Sequence, residues 1–129
     1  MVFVTAMDTT LDPAPVWAGK ALFYKLQAEA FLQSAGVGFS IIKPCGLADD
    51  LPGGTQKLMV GHDDTLMGGN AISRADVASA VVAAVNQRTS GLRFDICGGS
   101  GTPTTDFPAL LKSARWPWQR MYYANTFHP

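Results

Sequence analysis

Residues 22–47 read LFYKLQAEAFLQSAGVGFSIIKPCGL, and the fold turns on how this stretch is read. Leu22, Phe23, Leu26, Ala30, Phe31 and Ala35 recur at three- and four-residue intervals, which predicts an amphipathic helix starting at Lys20. Lys25 and Gln33 lie off that stripe. Gly36 suits the position just past a helix end. FSIIK, residues 39–43, then reads as a strand that Pro44 stops. Upstream, MVFVT (residues 1–5) is apolar and β-branched throughout, as a parallel strand buried on both faces should be. Strand, helix and strand in this order imply a parallel pair joined by a crossover. The second strand runs out into Pro44-Cys45-Gly46, which is how the mouth of a nucleotide-binding crevice is commonly built.

The remaining segments extend the pattern. AMDTTLDPAPVWAG, with its Asp, Thr and two prolines, is a loop. Residues 44–72 are glycine-rich and irregular, with QKLMVG and TLMGGNAI as short extended pieces around the turn HDD. SRAD opens a second helix as a capping box, Ser73 at the N-cap and Asp76 three residues on. VASAVVAAV follows, apolar on nearly every side, so this helix should pack on a sheet and be covered again. LRFDIC is a third strand, GGSGTPT a turn, and TDFPALLKSA a short helix with Asp106 in its first turn. The expected fold class is therefore α/β, with about three parallel strands and three helices. Three strands are few for such a sheet, and an apolar edge like MVFVT invites another strand.

Composition narrows the functional classes. The chain has 129 residues, 47% hydrophobic and 16% charged, which suits one globular domain with some surface covered by a partner. Net charge is zero, favouring neither nucleic acid nor an anionic membrane surface. No segment approaches the ~20 apolar residues of a membrane span. MVFVTAMDTT lacks the basic start and apolar length of a secretory leader. Cys45 and Cys97 lie far apart, and His62 and His128 are isolated, so no structural zinc site is expected. Two free thiols in an intracellular, reducing compartment are the expectation.

Taken together, MVFVTAMDTT, ALFYKLQAEAFLQSAGVGFSIIKPCGL, KLMVGHDD, ISRADVASAVVAAV and FDICGGSGTPTTDFPALL resemble the C-terminal half of the atypical short-chain dehydrogenase/reductases. The nearest group is the NmrA-like NAD(P)-binding proteins of plants, algae and cyanobacteria. The resemblance covers residues 2 to about 112, in order and at matching spacing. It implies a partial Rossmann-like NAD(P)-binding domain over residues 1–114 and an aromatic tail over 115–129 that falls outside the family pattern. The family's glycine-rich phosphate loop follows its first strand and has no counterpart here, and CGGSG lies at the wrong end of the fold to replace it.

By the same resemblance, Lys25 matches the lysine that hydrogen-bonds the nicotinamide ribose; a solvated helix lysine near Glu29 is the alternative. Pro44, Cys45, Gly46 and Leu47 match the segment lining the nicotinamide end of the crevice, although Cys45 also reads as an ordinary loop cysteine. Arg74 and Asp76 match an Arg-x-Asp-Val pattern, with Asp76 closing the capping box and Arg74 bracing the loop. Two departures stand out. Reductases of this family use a tyrosine four residues before the lysine as general acid and a serine after the preceding strand. Here those positions are Ala21 and Ala6, or Thr5 in the adjacent register. Tyr24 is one residue from Lys25, about 100° round the helix, and cannot stand in for a residue one turn away.

Two functions follow as expectations. One is a non-catalytic accessory subunit of a larger organellar assembly, the chloroplast by resemblance. Its protein partner would cover the sheet edge near residues 1–5 and the aromatics Trp116, Trp118, Tyr122, Tyr123 and Phe127. Those aromatics folding back over the sheet is the alternative. The other function is an NAD(P)H-dependent oxidoreductase whose N-terminal cofactor-binding half is not in this chain. NADP or NAD would bind once that half is supplied.

Overall fold

The computed structural model describes residues 1–11, 18–66 and 69–116. Its elements are β1 (Val2–Val4), α1 (Ala21–Ser34), β2 (Ser40–Pro44), β3 (Leu47–Ala48), β4 (Lys57–Gly61), β5 (Ile72–Ser73), α2 (Arg74–Asn86), β6 (Leu92–Gly99) and α3 (Phe107–Ser113). The main sheet has the order β1-β2-β6-β4. β1, β2 and β6 are parallel, as the crossover pattern requires, with Phe3 beside Ile41 and Ile41 beside Arg93. KLMVG adds a fourth, antiparallel strand where about three were expected, pairing Met59 with Cys97. β3 and β5 form a separate parallel pair.

Neighbours in register point to the same face of a sheet, so the two faces can be read strand by strand. One face carries Ile42, Leu92, Phe94 and Ile96. It packs on Val77, Ala80 and Ala84 of α2 and on Leu110, Leu111 and Ala114, forming one apolar core. The other face carries Ile41, Lys43, Arg93 and Asp95 and lies under α1. Helices therefore cover both faces, one through hydrocarbon and one largely through charge.

The capping expectations meet mixed outcomes. The Ser73 hydroxyl accepts the Asp76 N–H at 3.0 Å, but the Asp76 carboxylate turns away to accept the Gly54 N–H at 2.9 Å. Half of the capping box is thus used to tie a loop to the helix. Asp106 caps α3, accepting from the Ala109 N–H at 3.0 Å. Gly36 takes φ +74° just past α1, a conformation that favours glycine. On α2, Val82 and Val85 are exposed, so the second cover expected for that helix is absent among the described residues.

The predicted apolar stripe of α1 is only partly the buried one. Leu22 and Leu32 are buried, but Phe23 and Phe31 are exposed, and Glu29 is fully buried in their place. Burying a carboxylate costs several kcal/mol unless charge and hydrogen bonds answer it. Here they do. Glu29 Oε2 lies 3.5 Å from Lys43 Nζ and 3.0 Å from Arg93 Nη2, and Oε1 accepts the Thr5 hydroxyl at 2.6 Å. Lys43 also donates to the Thr9 hydroxyl, and Arg93 reaches on to Asp63 at 2.7 Å.

Candidate functional site

The loops leaving the C-terminal ends of β1 and β2 open a cavity of about 890 Å³. Open α/β sheets place ligands in this position, and the volume falls within the range of small-molecule and cofactor sites. Lys25, Pro44, Cys45, Gly46 and Leu47 all line it, so the five positions singled out in the sequence meet at one cavity, with Pro44–Leu47 as its first wall. Thr5, Ala6, Met7, Asp8, Ala21 and Leu22 form a second wall, and Gly69, Asn70, Ala71 and Arg74 a third.

Local chemistry explains how each wall is held. Met7 N–H donates to the Pro44 carbonyl at 3.0 Å, continuing the β1–β2 ladder past the last strand residue. Cys45 N–H donates to Ile96 O, and Ile72 N–H to Gly46 O, each at 2.9 Å. Asp64 clasps the loop after β1, accepting from the Asp8 N–H at 2.6 Å, the Thr10 N–H at 3.0 Å and the Thr10 hydroxyl. Asp8 adopts φ +71°, a conformation uncommon outside glycine and held here by that clasp.

Lys25 is exposed at the cavity rim and has no ion-pair partner among the described residues. Glu29, the neighbour that would have made it an ordinary surface lysine, is turned inward to Lys43 and Arg93. Ala6 and Ala21 face the cavity where a reductase of the resembled family would place its serine and tyrosine. Thr5 does not restore the serine, because its hydroxyl proton is directed to Glu29. Tyr24 is exposed, meets Phe23 edge-on at 5.5 Å, and is not among the lining residues. Arg74 is paired with Asp49 while also lining the rim.

Sequence reasoning missed the carboxylate cluster beneath the crevice. Burial opposes the Asp64 charge, but hydrogen bonds from Thr10 and Asp8 outweigh it and hold the carboxyl below its usual range. Burial, reinforced by the Asp64 charge, pushes Asp8 up. Asp95 goes further. Burial raises it to about 6, the Asp64 charge adds to this, and the Asp64 N–H, Lys43 and Arg93 only partly offset it. One Asp95 oxygen accepts from the Asp64 N–H at 2.8 Å, and the other has no partner among the described residues.

A carboxyl raised on folding binds its proton more tightly in the native state, so its contribution to stability is complete below the ordinary pKa near 3.8 and is lost as pH climbs through 6. Asp95→Asn removes that loss. It should leave stability unchanged at pH 4 and raise it at pH 8 by at most ~3 kcal/mol, since a pKa unit is worth ~1.4 kcal/mol. Urea unfolding at the two pH values measures both numbers, and equal effects at both would remove Asp95 as the cause.

The cysteines are not the expected free thiols. Cys45 and Cys97 are joined by a disulfide with their Cα atoms 5.0 Å apart. The β2–β6 register places Pro44 beside Ile96, so the next pair along is Cys45 and Cys97, within disulfide reach. The reducing compartment argued from free thiols loses that support.

Of the tail aromatics, Trp116 stacks on the His62 ring with centroids 3.9 Å apart and planes at 28°. It thus folds back onto the body of the chain. Trp118, Tyr122, Tyr123 and Phe127 lie outside the described residues.

A parallel-dominated sheet, helices on both faces and a cavity at the strand ends define a Rossmann-like nucleotide-binding fold. The chain belongs to the NAD(P)H-binding family, whose sequence profile matches residues 1–88. It is 39% identical over 96 residues to an uncharacterized chloroplastic protein of Arabidopsis thaliana, covering 70% of this chain and 29% of that one. It is 37% identical over 105 residues to sanguinarine reductase of Eschscholzia californica, covering 77% and 38%. A protein of Bacillus halodurans assigned as an NAD-dependent epimerase/dehydratase shares the fold, with a TM-score of 0.72 at 24% identity over 87% of this chain and 50% of that one. The chain spans well under two thirds of the length of each of these relatives. Among the described residues no helix is long and apolar enough to cross a membrane.

Proposed function

We propose that this chain supplies the nicotinamide-side wall of an NAD(P)-binding site of the oxidoreductase type. The observation that carries this reading is the convergence of Lys25 with the Pro44–Leu47 segment on one cavity at the carboxyl ends of parallel strands. The residues present fit the nicotinamide riboside end. Lys25 is a cation at the rim with no ion-pair partner among the described residues, suited to ribose hydroxyls, and Ala6, Ala21 and Gly46 leave room for a flat ring. When bound, NADPH supplies a hydride. The phosphate-side wall would come from polypeptide outside these 129 residues, because no glycine-rich run joins the first strand to the first helix and CGGSG follows the last strand, at the wrong end of the fold.

With Ala6 and Ala21 facing the cavity, the Ser-Tyr proton donor pair is missing, which favours cofactor binding over carbonyl reduction by this chain alone. That is the support for the second reading, an accessory subunit whose protein partner pairs along the open side of β1 and covers the aromatic tail. A chloroplast location is part of both readings and rests on the chloroplastic relatives.

The test is NADPH fluorescence titration of the chain and of Lys25→Ala. Removing a charged hydrogen bond to the ribose should weaken binding roughly tenfold or more. Equal affinity in the two proteins overturns the assignment of Lys25, and saturable binding at the Gly98–Gly101 turn instead would overturn the site.

A further inference from the structure

The face of the sheet under α1 is arranged in rows that run across the strands. Phe3, Ile41 and Arg93 form one row. Thr5, Lys43 and Asp95 form the next, and the same register carries on to Met7, Cys45 and Cys97. The last row is all sulfur. Met7 Sδ lies 3.0 Å from Cys45 Sγ and 3.2 Å from Cys97 Sγ. Cys97 is fully buried, whereas Met7 and Cys45 line the cavity. The third wall presses on the same sulfurs. A Cβ placed on Gly69 would stand 2.8 Å from Cys97 Sγ, 2.9 Å from its Cβ and 3.5 Å from Cys45 Sγ. Asn70 and Gly98 exchange two backbone hydrogen bonds, of 2.9 and 3.0 Å, directly beside Cys97. All three walls of the crevice therefore rest on one disulfide.

We propose that Cys45–Cys97 is a reductant-addressable disulfide that sets the shape of the crevice, and that its substrates are dithiols, protein-borne or small. Its consequence for cofactor binding rests on the nucleotide reading above; the exchange chemistry does not. One thiolate of the dithiol attacks Cys45 Sγ, the sulfur reached from the cavity. The S–S electron pair leaves on Cys97 Sγ, which takes up a proton. The second thiol of the reductant then closes on the first and releases Cys45, which takes up the second proton. The reductant ends as a disulfide and the chain as a dithiol, two electrons and two protons richer. A protein or small-molecule disulfide reverses the sequence.

The structural effect follows from packing. Two thiols cannot sit as close as two bonded sulfurs, so the reduced pair needs more room. Gly69 and Met7 bound that room on the cavity side, and both belong to walls of the crevice. Reduction therefore displaces Gly69, Met7 or the Cys45 side chain itself, each of which lines the crevice.

The experiment uses the full chain, oxidised with glutathione disulfide or reduced with dithiothreitol under native conditions. Thiol alkylation counts the free cysteines, and amide hydrogen exchange reads Met7, Asn70 and Gly98. We expect no alkylation before reduction and two adducts after it, with the Asn70 and Gly98 amides exchanging roughly tenfold faster or more. Cys45→Ser should show no response to reductant. Resistance of the pair to dithiothreitol without denaturant overturns the proposal. So do thiols that glutathione disulfide does not close, or exchange unchanged by reduction. NADPH titration of both redox states separates the two readings. Binding in neither state counts against the nucleotide assignment and leaves the exchange result to decide the switch.

Discussion

Glu29→Ala should destabilise the fold by about 3–5 kcal/mol, because it strands two cations under α1. Lys43 is fully buried and, once the carboxylate is gone, keeps the Thr9 hydroxyl as its hydrogen-bond partner among the described residues. Arg93 retains Asp63, so the larger share of the loss falls on Lys43. Thr5 loses its 2.6 Å hydrogen bond as well, which frees the start of the loop that walls the crevice. Glu29→Met combined with Lys43→Met replaces the buried pair by hydrocarbon of similar volume and should recover most of the lost stability. Urea unfolding of the single and double variants measures both. If the double variant is as unstable as Glu29→Ala, the damage lies in packing and not in an unanswered charge.

Phe94→Ala should cost a comparable ~3–5 kcal/mol by a different route. Phe94 is 1% exposed and sits in the cluster that joins the sheet to Val77, Ala80 and Ala84 of α2 and to Leu110 and Leu111 of α3. Its truncation leaves a cavity that β2 and β4, hydrogen-bonded on either side of β6, cannot close. No titratable group belongs to that cluster, so the loss should be the same at pH 5 and pH 8 and insensitive to salt. A strong salt dependence for Phe94→Ala would contradict the division of the sheet into an apolar face and a charged one.

Much of this architecture is legible in the amino-acid order because it follows from local periodicity. The helix–glycine–strand passage, the Ser73 cap and the short apolar-rich strands give β1, α1, β2, α2 and β6 and the parallel sense of the sheet. The crevice is legible for the same reason, since Pro44-Cys45-Gly46 ends a strand whose neighbours also run toward it. What escaped is what depends on long-range register. KLMVG pairs antiparallel with β6 across more than thirty residues of sequence, and no local pattern announces it. Cys45 and Cys97 are 52 residues apart in sequence, and only the β2–β6 register makes them adjacent. The face of α1 was misjudged because hydrophobic periodicity assigns every charged residue to the surface. Lys43, the one charged residue in a fully buried strand, was the sign that a counter-charge had to come from the helix above it. Glu29 was that charge, and Phe31, placed on the core stripe by periodicity, is 76% exposed.

The cavity at the ends of β1 and β2 is proposed to take the nicotinamide riboside end of the cofactor. Titration of the ¹⁵N-labelled chain with reduced nicotinamide riboside, which carries that end alone, tests it without a phosphate-side wall. We expect amide shifts confined to Thr5–Asp8, Lys25, Cys45–Leu47 and Gly69–Ala71, and their loss in Lys25→Ala. Shifts centred on Gly98–Gly101, or none at these positions under conditions where NADPH binds, would contradict it.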